Sequence, residues 1–267
     1  MESTKPFLSR FLPWWLLAAF ALAAMPALAA DADGGEPVSI VIAYKARPET
    51  RAAFRALMET DGAARFARWQ KEGLFRRMHL LFTPYAGSSP FDMIVILDFA
   101  RYTDLGRWKE IEQRMPGGLT PEALALAGPE SSWLAELFVH GESPEHDPAK
   151  AADLLSFYEV VTDAARYRKY VEGYTVPQLK GWIEAGVLGA YSMYVNQGVG
   201  TSWNALLVLE YKDMAALAQR EAVKAGVRQR LAASDPVWKA WSNDKGTIRN
   251  ERSLVAADPV SSSPNRD

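Results

Sequence analysis

The sequence contains no cysteine and only three histidines in 267 residues. The absence of cysteine excludes disulfides, thiol catalysis, iron–sulfur clusters and cysteine zinc sites. The formal net charge is only −2, so the basic excess typical of nucleic-acid binding is missing and we expect no nucleic-acid partner. Phosphate-binding glycine loops and the G-x-S-x-G nucleophile motif are also absent. What is present, 49% hydrophobic and 23% charged residues, is typical of a globular protein with a sizeable core.

Residues 1–30 have the organisation of a secretory signal peptide. A positively charged start precedes an apolar run over residues 11–24, and the small-residue segment Ala27–Ala30 follows a proline. We expect cleavage after Ala29 or Ala30 and a periplasmic or secreted protein that has no contact with the membrane afterwards. An uncleaved membrane anchor is the alternative, because the run is nearly long enough to cross a bilayer.

The remainder of the chain contains an internal repeat. The segment Trp69–Gly73 matches Trp182–Gly186 at an offset of 113 residues, and Phe54 aligns with Tyr167 at the same offset. Weak similarity at a nearly constant offset indicates a tandem duplication. The predicted boundaries are a flexible N-terminus at 31–37, a first copy at 38–140, a linker at 141–150, a second copy at 151–256 and a disordered tail at 257–267.

Each copy has the predicted element order β-α-β-β-α-β, which is the ferredoxin-like arrangement. The predicted strands are Ser39–Ala46, Phe75–Thr83, Met93–Phe99, Trp133–His140, Leu154–Val161, Leu188–Asn196, Ala205–Tyr211 and Arg249–Ala256. The predicted helices are Glu49–Glu72, Leu105–Met115, Asp163–Ala185 and Met214–Leu231. We expect Pro177 to interrupt the third helix, with Thr175 capping a new segment, and Gly73 and Gly186 to end helices.

A ferredoxin-like sheet has helices on one face only, so two copies can bury their bare faces against each other. The predicted fold class is therefore α+β, with two tandem copies forming an intramolecular pseudo-dimeric α/β barrel.

The pattern Pro177-x4-Trp182-x3-Gly186, followed by Tyr191-x-Met193-Tyr194 and the segment Trp203–Tyr211, resembles the dimeric α/β-barrel superfamily. In particular it is similar to NIPSNAP-type and stress-responsive barrel domains. The resemblance implies the fold, but relatives include cofactor-free monooxygenases, lactone isomerases, polyketide cyclases and haem enzymes, so it selects no chemistry. The chlorite dismutases hold haem through a histidine of the C-terminal copy. That copy has no histidine here, so we expect no haem held in this way and no cofactor.

Strand alternation predicts a pocket inside the barrel, because every second side chain of a strand faces the same side. The sets that mix polar with apolar residues are Arg77, His79, Leu81 and Thr83; Ala190, Ser192, Tyr194 and Asn196; Asp92, Ile94, Ile96 and Asp98; and Asn204, Leu206, Val208 and Glu210. The predicted ligand-binding residues among them are Arg77, Asp92, Ser192, Asn196, Asn204 and Glu210. For Lys45, Asp98, Glu159 and Glu210 we nevertheless favour solvated positions at strand ends, since charged residues are mostly exposed.

His79 and Tyr194 are the predicted catalytic residues. Histidine transfers protons near neutral pH, and Tyr194 with Asn204 could stabilise a developing oxyanion. The alternative is that His79 is a structural residue whose hydrogen bonds are satisfied.

Three further patterns have a structural and a functional interpretation. The segment His140–Asp147 contains two histidines and three carboxylates, but its spacing matches no tight metal motif, so we expect a solvated linker and no metal. The basic residues of the helix Asp213–Leu231 indicate a solvated face. Trp238 and Trp241 lie three residues apart and either cover the end of the second copy or form a homodimer contact.

These observations predict an exported protein that binds a small hydrophobic or aromatic molecule, with cofactor-free oxygenase, isomerase or cyclase chemistry as an extension. The alternative is a non-catalytic periplasmic interaction or envelope-stress protein whose barrel is filled by side chains. An open cavity near His79 and Tyr194 favours the first function, and a packed interior favours the second.

Overall fold

A computed structural model describes residues 35–260, and the predicted signal peptide lies outside this range. The strands are β1 Val38–Ala46, β2 Arg77–Phe82, β3 Met93–Phe99, β4 Ala127–Glu142, β5 Ala152–Val160, β6 Leu188–Asn196, β7 Ala205–Tyr211 and β8 Arg249–Pro259. The helices are α1 Arg51–Leu57, α2 Ala63–Lys71, α3 Leu105–Glu112, α4 Pro121–Leu126, α5 Ala164–Tyr170, α6 Val176–Glu184, α7 Met214–Ala218, α8 Arg220–Ser234 and α9 Pro236–Asp244. Within this range no helix is both long enough and apolar enough to span a bilayer.

All eight strands form one closed antiparallel barrel in the order β1-β3-β2-β8-β5-β7-β6-β4. The predicted α+β class and the closed barrel are therefore confirmed. The two junctions between the halves are unequal. The β4–β6 junction has seven residue pairs from Ala135–Asn196 to Glu142–Ala190, whereas the β2–β8 junction, called the seam below, has only Leu81–Pro259 and Phe82–Asp258.

The buried side chains form three separate cores. Two cores lie between the barrel wall and the helices, one in each half. The third fills the barrel interior with residues from both halves, including Leu81, Ile94, Ile96, Leu206 and Val208. The predicted strand alternation is therefore confirmed, since these residues belong to the mixed sets expected to face inward.

The long first helix of each half contains a π turn, at Met58–Gly62 and at Val171–Thr175. The predicted interruption at Pro177 is wrong, because α6 follows the π turn directly. Thr175 has helical backbone angles and makes no capping hydrogen bond. A π turn is wider than an α-helical turn, and the proline stands in the first turn of α6, where its missing N–H is tolerated.

Several boundaries also differ from the predicted ones. Gly73 and Gly186 have positive φ angles and end the helices as expected. Strand β4 is twice as long as predicted, because a long strand is needed to pair with β1 and with β6 across the junction of the halves. Strand β8 runs to Pro259, so Ala257–Pro259 belong to the barrel and not to the tail.

Candidate functional site

The sequence-predicted polar residues separate into two groups at opposite ends of the barrel. One end, called the polar end below, holds buried polar side chains that pair across neighbouring strands. Ser39 lies opposite Asp98 on β1 and β3, and Asp153 lies opposite Glu210 on β5 and β7. The polar end comprises Ser39, Arg77, His79, Asp98, Asp153, Ser192, Tyr194 and Glu210.

Asp98 is the centre of a hydrogen-bond network at this end. The Ser39 hydroxyl donates to Asp98 Oδ1 at 2.7 Å and the Tyr194 hydroxyl donates to Asp98 Oδ2 at 3.3 Å. The Arg77 guanidinium approaches the same carboxylate to 3.5 Å. Tyr194 is fully buried in the barrel core, and this burial raises the pKa of its hydroxyl well above the ordinary value. The network positions Tyr194 against Asp98.

Glu210 is surrounded by two histidines from distant parts of the chain. His146 Nε2 lies 3.0 Å from Glu210 Oε2, and His79 Nδ1 lies 3.8 Å from Oε1. Burial opposes ionisation of Glu210, but the His146 hydrogen bond and the His79 charge outweigh it, so the pKa of Glu210 lies below its ordinary value. The same hydrogen bond raises the pKa of His146.

Two expectations are wrong here. Asp98 and Glu210 are not solvated at strand ends, because each is only 6% exposed. The linker is not simply solvated either, since the side chain of His146 is 4% exposed against Glu210 and Ser143 N donates to Gly189 O at 2.7 Å. The cross-strand partners and the histidines stabilise these carboxylates inside the protein.

Lys45 and Glu159 behave as expected of charged residues. The Lys45 side chain is 39% exposed and that of Glu159 is 36% exposed. Their partners are Asp92, 3.4 Å from Lys45, and Arg252, 2.7 Å from Glu159.

Sequence reasoning missed Asp153. It lies beside Glu210 and is 2% exposed, and its Oδ1 atom has no hydrogen-bond partner among the described residues. Burial and the charge of Glu210 raise the pKa of Asp153 well above its ordinary value. The sequence pattern could have identified it, because Asp153, Leu155 and Phe157 are every second residue of one strand, and Leu155 and Phe157 face the barrel interior.

Two cavities open beside His79 and Glu210. One has a volume of about 230 Å³ and is also bordered by Arg77, His140 and His146. The other has a volume of about 390 Å³ and is bordered by Asp153 and by Pro259 at the seam. His79 and Glu210 therefore separate two small spaces, and His79 Nε2 is buried without a hydrogen-bond partner among residues 35–260.

The other predicted ligand-binding residues stabilise the opposite end of the barrel. Asp92 accepts a hydrogen bond from Arg51 Nε at 2.8 Å and from Ala46 N at 3.0 Å. Asn204 Oδ1 accepts from Val160 N at 3.0 Å, and Asn196 Oδ1 accepts from Gly198 N at 2.8 Å in a turn. These three residues lie apart from Arg77, His79, Ser192 and Glu210, which the structure brings together.

Ser192 and His140 are neighbours at the polar end. Ser192 Oγ lies 3.1 Å from His140 Nδ1, and the backbone oxygen of Tyr191 lies 2.9 Å from the same nitrogen. Burial and the charge of Arg77 lower the pKa of His140. In the part of the chain that the structure describes, no three His, Asp or Glu side chains are placed to hold a metal ion together.

A larger cavity than these two lies elsewhere, between the barrel wall and the helices of the second half. This second-half cavity has a volume of about 500 Å³. Its apolar wall includes Leu154, Leu179, Trp182, Leu207 and Leu209. Its charged border comprises Arg220, Glu221, Lys224, Arg228, Lys245, Arg249 and Glu251. The predicted solvated face of the basic helix therefore also borders this cavity at Arg220, Lys224 and Arg228, with the Arg220 and Lys224 side chains 37% and 32% exposed.

Three cations of this cavity, Arg228, Lys245 and Arg249, form no ion pair with an acidic side chain among the described residues. Glu221 pairs with Arg220 at 3.4 Å and with Lys224 at 3.5 Å. Arg228 donates to the neutral Gln178 at 2.7 Å. Within residues 35–260 neither Arg228 nor Arg249 forms an ion pair with a carboxylate.

Arg249 is held by aromatic residues instead. Its guanidinium carbon lies 3.7 Å from the centroid of the Tyr158 ring, and its Nε donates to the Tyr170 hydroxyl at 3.1 Å. Its Nη1 atom, Thr175 Oγ1 and Trp182 Nε1 are buried without hydrogen-bond partners among the described residues. The cavity thus offers unpaired positive charge and unused hydrogen-bonding groups beside an apolar wall.

A haem held through histidine does not fit the second-half cavity. The described lining contains no histidine, since His79, His140 and His146 all lie at the polar end or its linker. It contains no methionine either.

Trp238 and Trp241 cover the second half. Trp238 is buried, stacks on Tyr174 at 5.1 Å between ring centroids and donates its Nε1 hydrogen to the Tyr174 carbonyl. Trp241 packs edge-on against Tyr170 at 5.9 Å. Because Trp238 is buried within its own chain, it is not available as an anchor for a homodimer.

The sequence matches no protein-family model and no curated protein. Solved structures with a similar backbone include a monooxygenase candidate from Fusobacterium nucleatum, with 8% identity, a TM-score of 0.49 and coverage of 85% of this chain and 93% of that chain. A haem-binding protein from Thermus thermophilus has 12% identity, a TM-score of 0.48 and coverage of 84% and 91%. An anthrone oxidase-like protein has 10% identity, a TM-score of 0.49 and coverage of 85% and 92%. Because these identities and TM-scores are so low, the description of the fold is based on the strand pairing of this chain and not on the similar structures.

Proposed function

We propose that this protein binds a small hydrophobic or aromatic molecule that carries an acidic group, and that the second-half cavity is its site. The observation that carries the proposal is the position of Arg249 without a carboxylate partner beside an apolar wall. A partly buried cation is stabilised by an opposite charge, and a ring face and one hydroxyl supply only part of that stabilisation. An anionic group of a ligand completes it.

The corresponding space of the first half supports this interpretation by contrast. There Phe66, Trp69 and Trp108 pack against one another with ring centroids 5.2–6.4 Å apart. Gly118 fits against them so closely that a Cβ atom would lie 2.8 Å from the Phe66 ring. The first half keeps a smaller and mainly apolar cavity of about 320 Å³, whose charged residues are Lys109 and Glu112, whereas the second half keeps a cavity of about 500 Å³ with a charged border.

The test is a calorimetric titration with 1-naphthoate and with its neutral analogue 1-naphthylmethanol. We expect 1-naphthoate to bind, and Arg249→Gln to weaken it at least about tenfold, since a charged hydrogen bond contributes about 1.5–3 kcal/mol. The neutral analogue should respond much less. Arg252→Gln is the matched control, because Arg252 lies on the same strand with its side chain 56% exposed. Equal affinity of Arg249→Gln and the unsubstituted protein for 1-naphthoate would contradict the proposal.

A second proposed function is cofactor-free chemistry at the polar end, with His79 as the base. The unpartnered His79 Nε2 between two cavities supports it. Tyr194, which the sequence suggests as its partner, is fully buried and donates to Asp98, so we propose a positioning role for it. Arg77, Ser192 and Glu210 remain the proposed ligand-binding residues of this end.

The competing proposal is a non-catalytic interaction or envelope-stress protein with a filled barrel. Four aromatic rings support it, because they pack in the barrel interior away from the polar end. Phe91 contacts Phe157 at 5.8 Å, Phe157 contacts Trp203 at 6.1 Å, and Trp203 contacts Trp133 at 5.7 Å between ring centroids. Failure of the folded protein to bind either naphthalene probe would favour this function.

We further propose that the two halves derive from a duplication and that the protein is exported to the periplasm. The π turns at Met58–Gly62 and Val171–Thr175 support the duplication, since they are separated by the same 113 residues as Trp69 and Trp182. A closer kinship with NIPSNAP-type barrels rests on the sequence pattern alone, namely Pro177-x4-Trp182-x3-Gly186, Tyr191-x-Met193-Tyr194 and the segment Trp203–Tyr211. Export predicts an N-terminus at Ala30 or Asp31 in a periplasmic extract, and a full-length chain there would contradict cleavage.

A further inference from the structure

The cavity at the seam has a composition suited to proton transfer. The cavity has a volume of about 390 Å³, and its wall is largely apolar, with residues such as Met78, Leu80 and Leu81. The titratable side chains among its described lining are His79, Asp153 and Glu210. The seam has only two residue pairs, so the barrel wall is least continuous next to these groups.

The three titratable groups have different partners. Glu210 faces His146 at 3.0 Å and His79 at 3.8 Å. Asp153 faces Glu210 from the neighbouring strand, and Asp258 on β8 is the other charged group that acts on it. Asp153 therefore has a carboxylate opposite it on β7 and no ion pair with a cation among the described residues, which favours its protonated form, whereas Glu210 is held ionised between histidines.

Two residues that border the cavity each have a buried polar atom without a partner. His79 Nε2 and Asp153 Oδ1 are both buried without hydrogen-bond partners in the described part of the chain. On the other side of the His79 ring, Nδ1 lies 3.8 Å from Glu210 Oε1. A base and an acid thus border one apolar cavity, which is the arrangement that general acid–base catalysis requires.

We propose that His79 and Asp153 form an acid–base pair that interconverts the keto and enol tautomers of a hydrophobic or aromatic carbonyl compound in the seam cavity. His79 Nε2 takes a proton from the carbon next to the carbonyl, and the C–H electron pair becomes the C=C bond. The carbonyl oxygen takes the proton of Asp153, so the C=O bond becomes C–OH. His79 is then an imidazolium and Asp153 a carboxylate. When the enol leaves, water takes the proton of the imidazolium and returns one to Asp153; when the enol stays, the imidazolium exchanges its proton with water and the reverse transfers regenerate the keto form.

No electron acceptor, metal or oxygen is needed in this proton shift. The inference rests on the proposed role of His79 as a base, and it adds the acid, the cavity and the reaction class. It is independent of ligand binding in the second-half cavity.

The test measures deuterium incorporation at the methylene carbon of phenylpyruvate in D₂O by proton NMR, using the purified protein near neutral pH. We expect the protein to accelerate exchange over buffer, and His79→Gln and Asp153→Asn each to reduce that acceleration about a hundredfold. Glu159→Gln is the control, because Glu159 lies at the far end of the strand that carries Asp153 and is solvated. Exchange no faster than in buffer would overturn the proposal.

The variants separate the individual claims. If His79→Gln loses the exchange activity and Asp153→Asn retains it, the role of His79 as the base is supported and the role of Asp153 as the acid is overturned. Infrared difference spectra test the acid without a substrate: a carboxylic acid C=O band at neutral pH should be present and should disappear in Asp153→Asn. Absence of that band in the unsubstituted protein would overturn the role of Asp153. Both variants should bind 1-naphthoate as the unsubstituted protein does. If the unsubstituted protein fails to bind 1-naphthoate, that result contradicts the proposed site in the second-half cavity and not the acid–base pair.

Discussion

At the scale of single residues, Asp98 and Glu210 illustrate how equivalent positions acquire different chemistry. Both lie near the ends of corresponding strands, β3 and β7, and both are buried. Asp98 receives hydroxyl groups and a guanidinium, so its oxygens are satisfied by fixed neighbours. Glu210 receives two histidines instead, so its environment changes with pH. The network around Asp98 thus has no group that titrates near neutral pH, whereas the cluster around Glu210 has two histidines.

The His146–Glu210 pair predicts a pH window of stability. The folded-state pKa of His146 is raised, so the pair stabilises the fold below the ordinary histidine pKa of about 6.5 and loses this effect as the pH rises through the raised value. The folded-state pKa of Glu210 is lowered, so its contribution is present above about 4.3 and is lost as the pH falls through the lowered value.

We expect His146→Gln to reduce the free energy of unfolding by about 1–3 kcal/mol near pH 6 and by less above neutrality. Urea titrations across this pH range measure the difference. His140→Gln is the control, because the pKa of His140 is lowered, so this histidine destabilises the fold as the pH falls. A His146→Gln curve parallel to that of the unsubstituted protein at every pH would contradict the window.

At the scale of elements, glycine positions determine how closely helices pack. Gly181 on α6 lies under Val227 of α8, and a Cβ atom at Gly181 would lie 2.6 Å from Val227 Cγ1. Gly226 on α8 has open space at the corresponding point. Both glycines are helical, so they lose the same backbone entropy on folding, and only the packing differs.

We therefore expect opposite effects from the same substitution. Gly226→Ala should stabilise the protein by about 0.5–1 kcal/mol, since alanine is the better helix former. Gly181→Ala should destabilise it by about 1–3 kcal/mol, because α6 and α8 must move apart. Thermal unfolding measures both, and stabilisation by Gly181→Ala would contradict the close packing of these helices.

Most elements could be predicted from the sequence, because period-2 and helical patterns are local signals. The π turn before Pro177 could not be predicted, since its hydrogen-bond pattern leaves no residue signature and proline ordinarily indicates a break. The extension of β4 over Ala127–Ser132 could not be predicted either. Its pairing with β1 is a long-range contact that the sequence of the strand does not reveal.

At the scale of the whole molecule, the barrel has one strong and one weak junction. The seam between β2 and β8 has two residue pairs, whereas every other pair of neighbouring strands has six or more. Backbone hydrogen bonds that few neighbours support open most readily. The seam also borders the cavity that contains His79 and Asp153.

We expect hydrogen exchange to be fastest among the barrel strands in β2 and in the last residues of β8. Peptides from β1, β3 and β7, which are bounded by extensive pairing on both sides, should exchange more slowly. Mass spectrometry after timed incubation in D₂O measures this order. Equal protection of β2 and β7 would show that the seam is held closed by contacts other than its backbone pairs.

The candidate site was predictable in part. Strand alternation identified His79, Arg77, Ser192 and Tyr194 as inward-facing, because a barrel strand has only two sides. Strand alternation could not predict the contact between His146 of the linker and Glu210, since the two residues are 64 positions apart and meet only when the barrel closes. Nor could it find the second-half cavity, because its unpaired cations Arg228 and Arg249 belong to α8 and β8, which lie together only in the folded chain.

The pairing of β4 with β6 and of β8 with β2 has a consequence for synthesis. When residues up to Glu142 have left the ribosome, the sheet of the first half has β4 and β2 as unpaired edges, and its inner apolar face is uncovered. Such edges promote association with other chains. We therefore expect the first half to associate with other chains if it folds before the residues of β6 and β8 are synthesised.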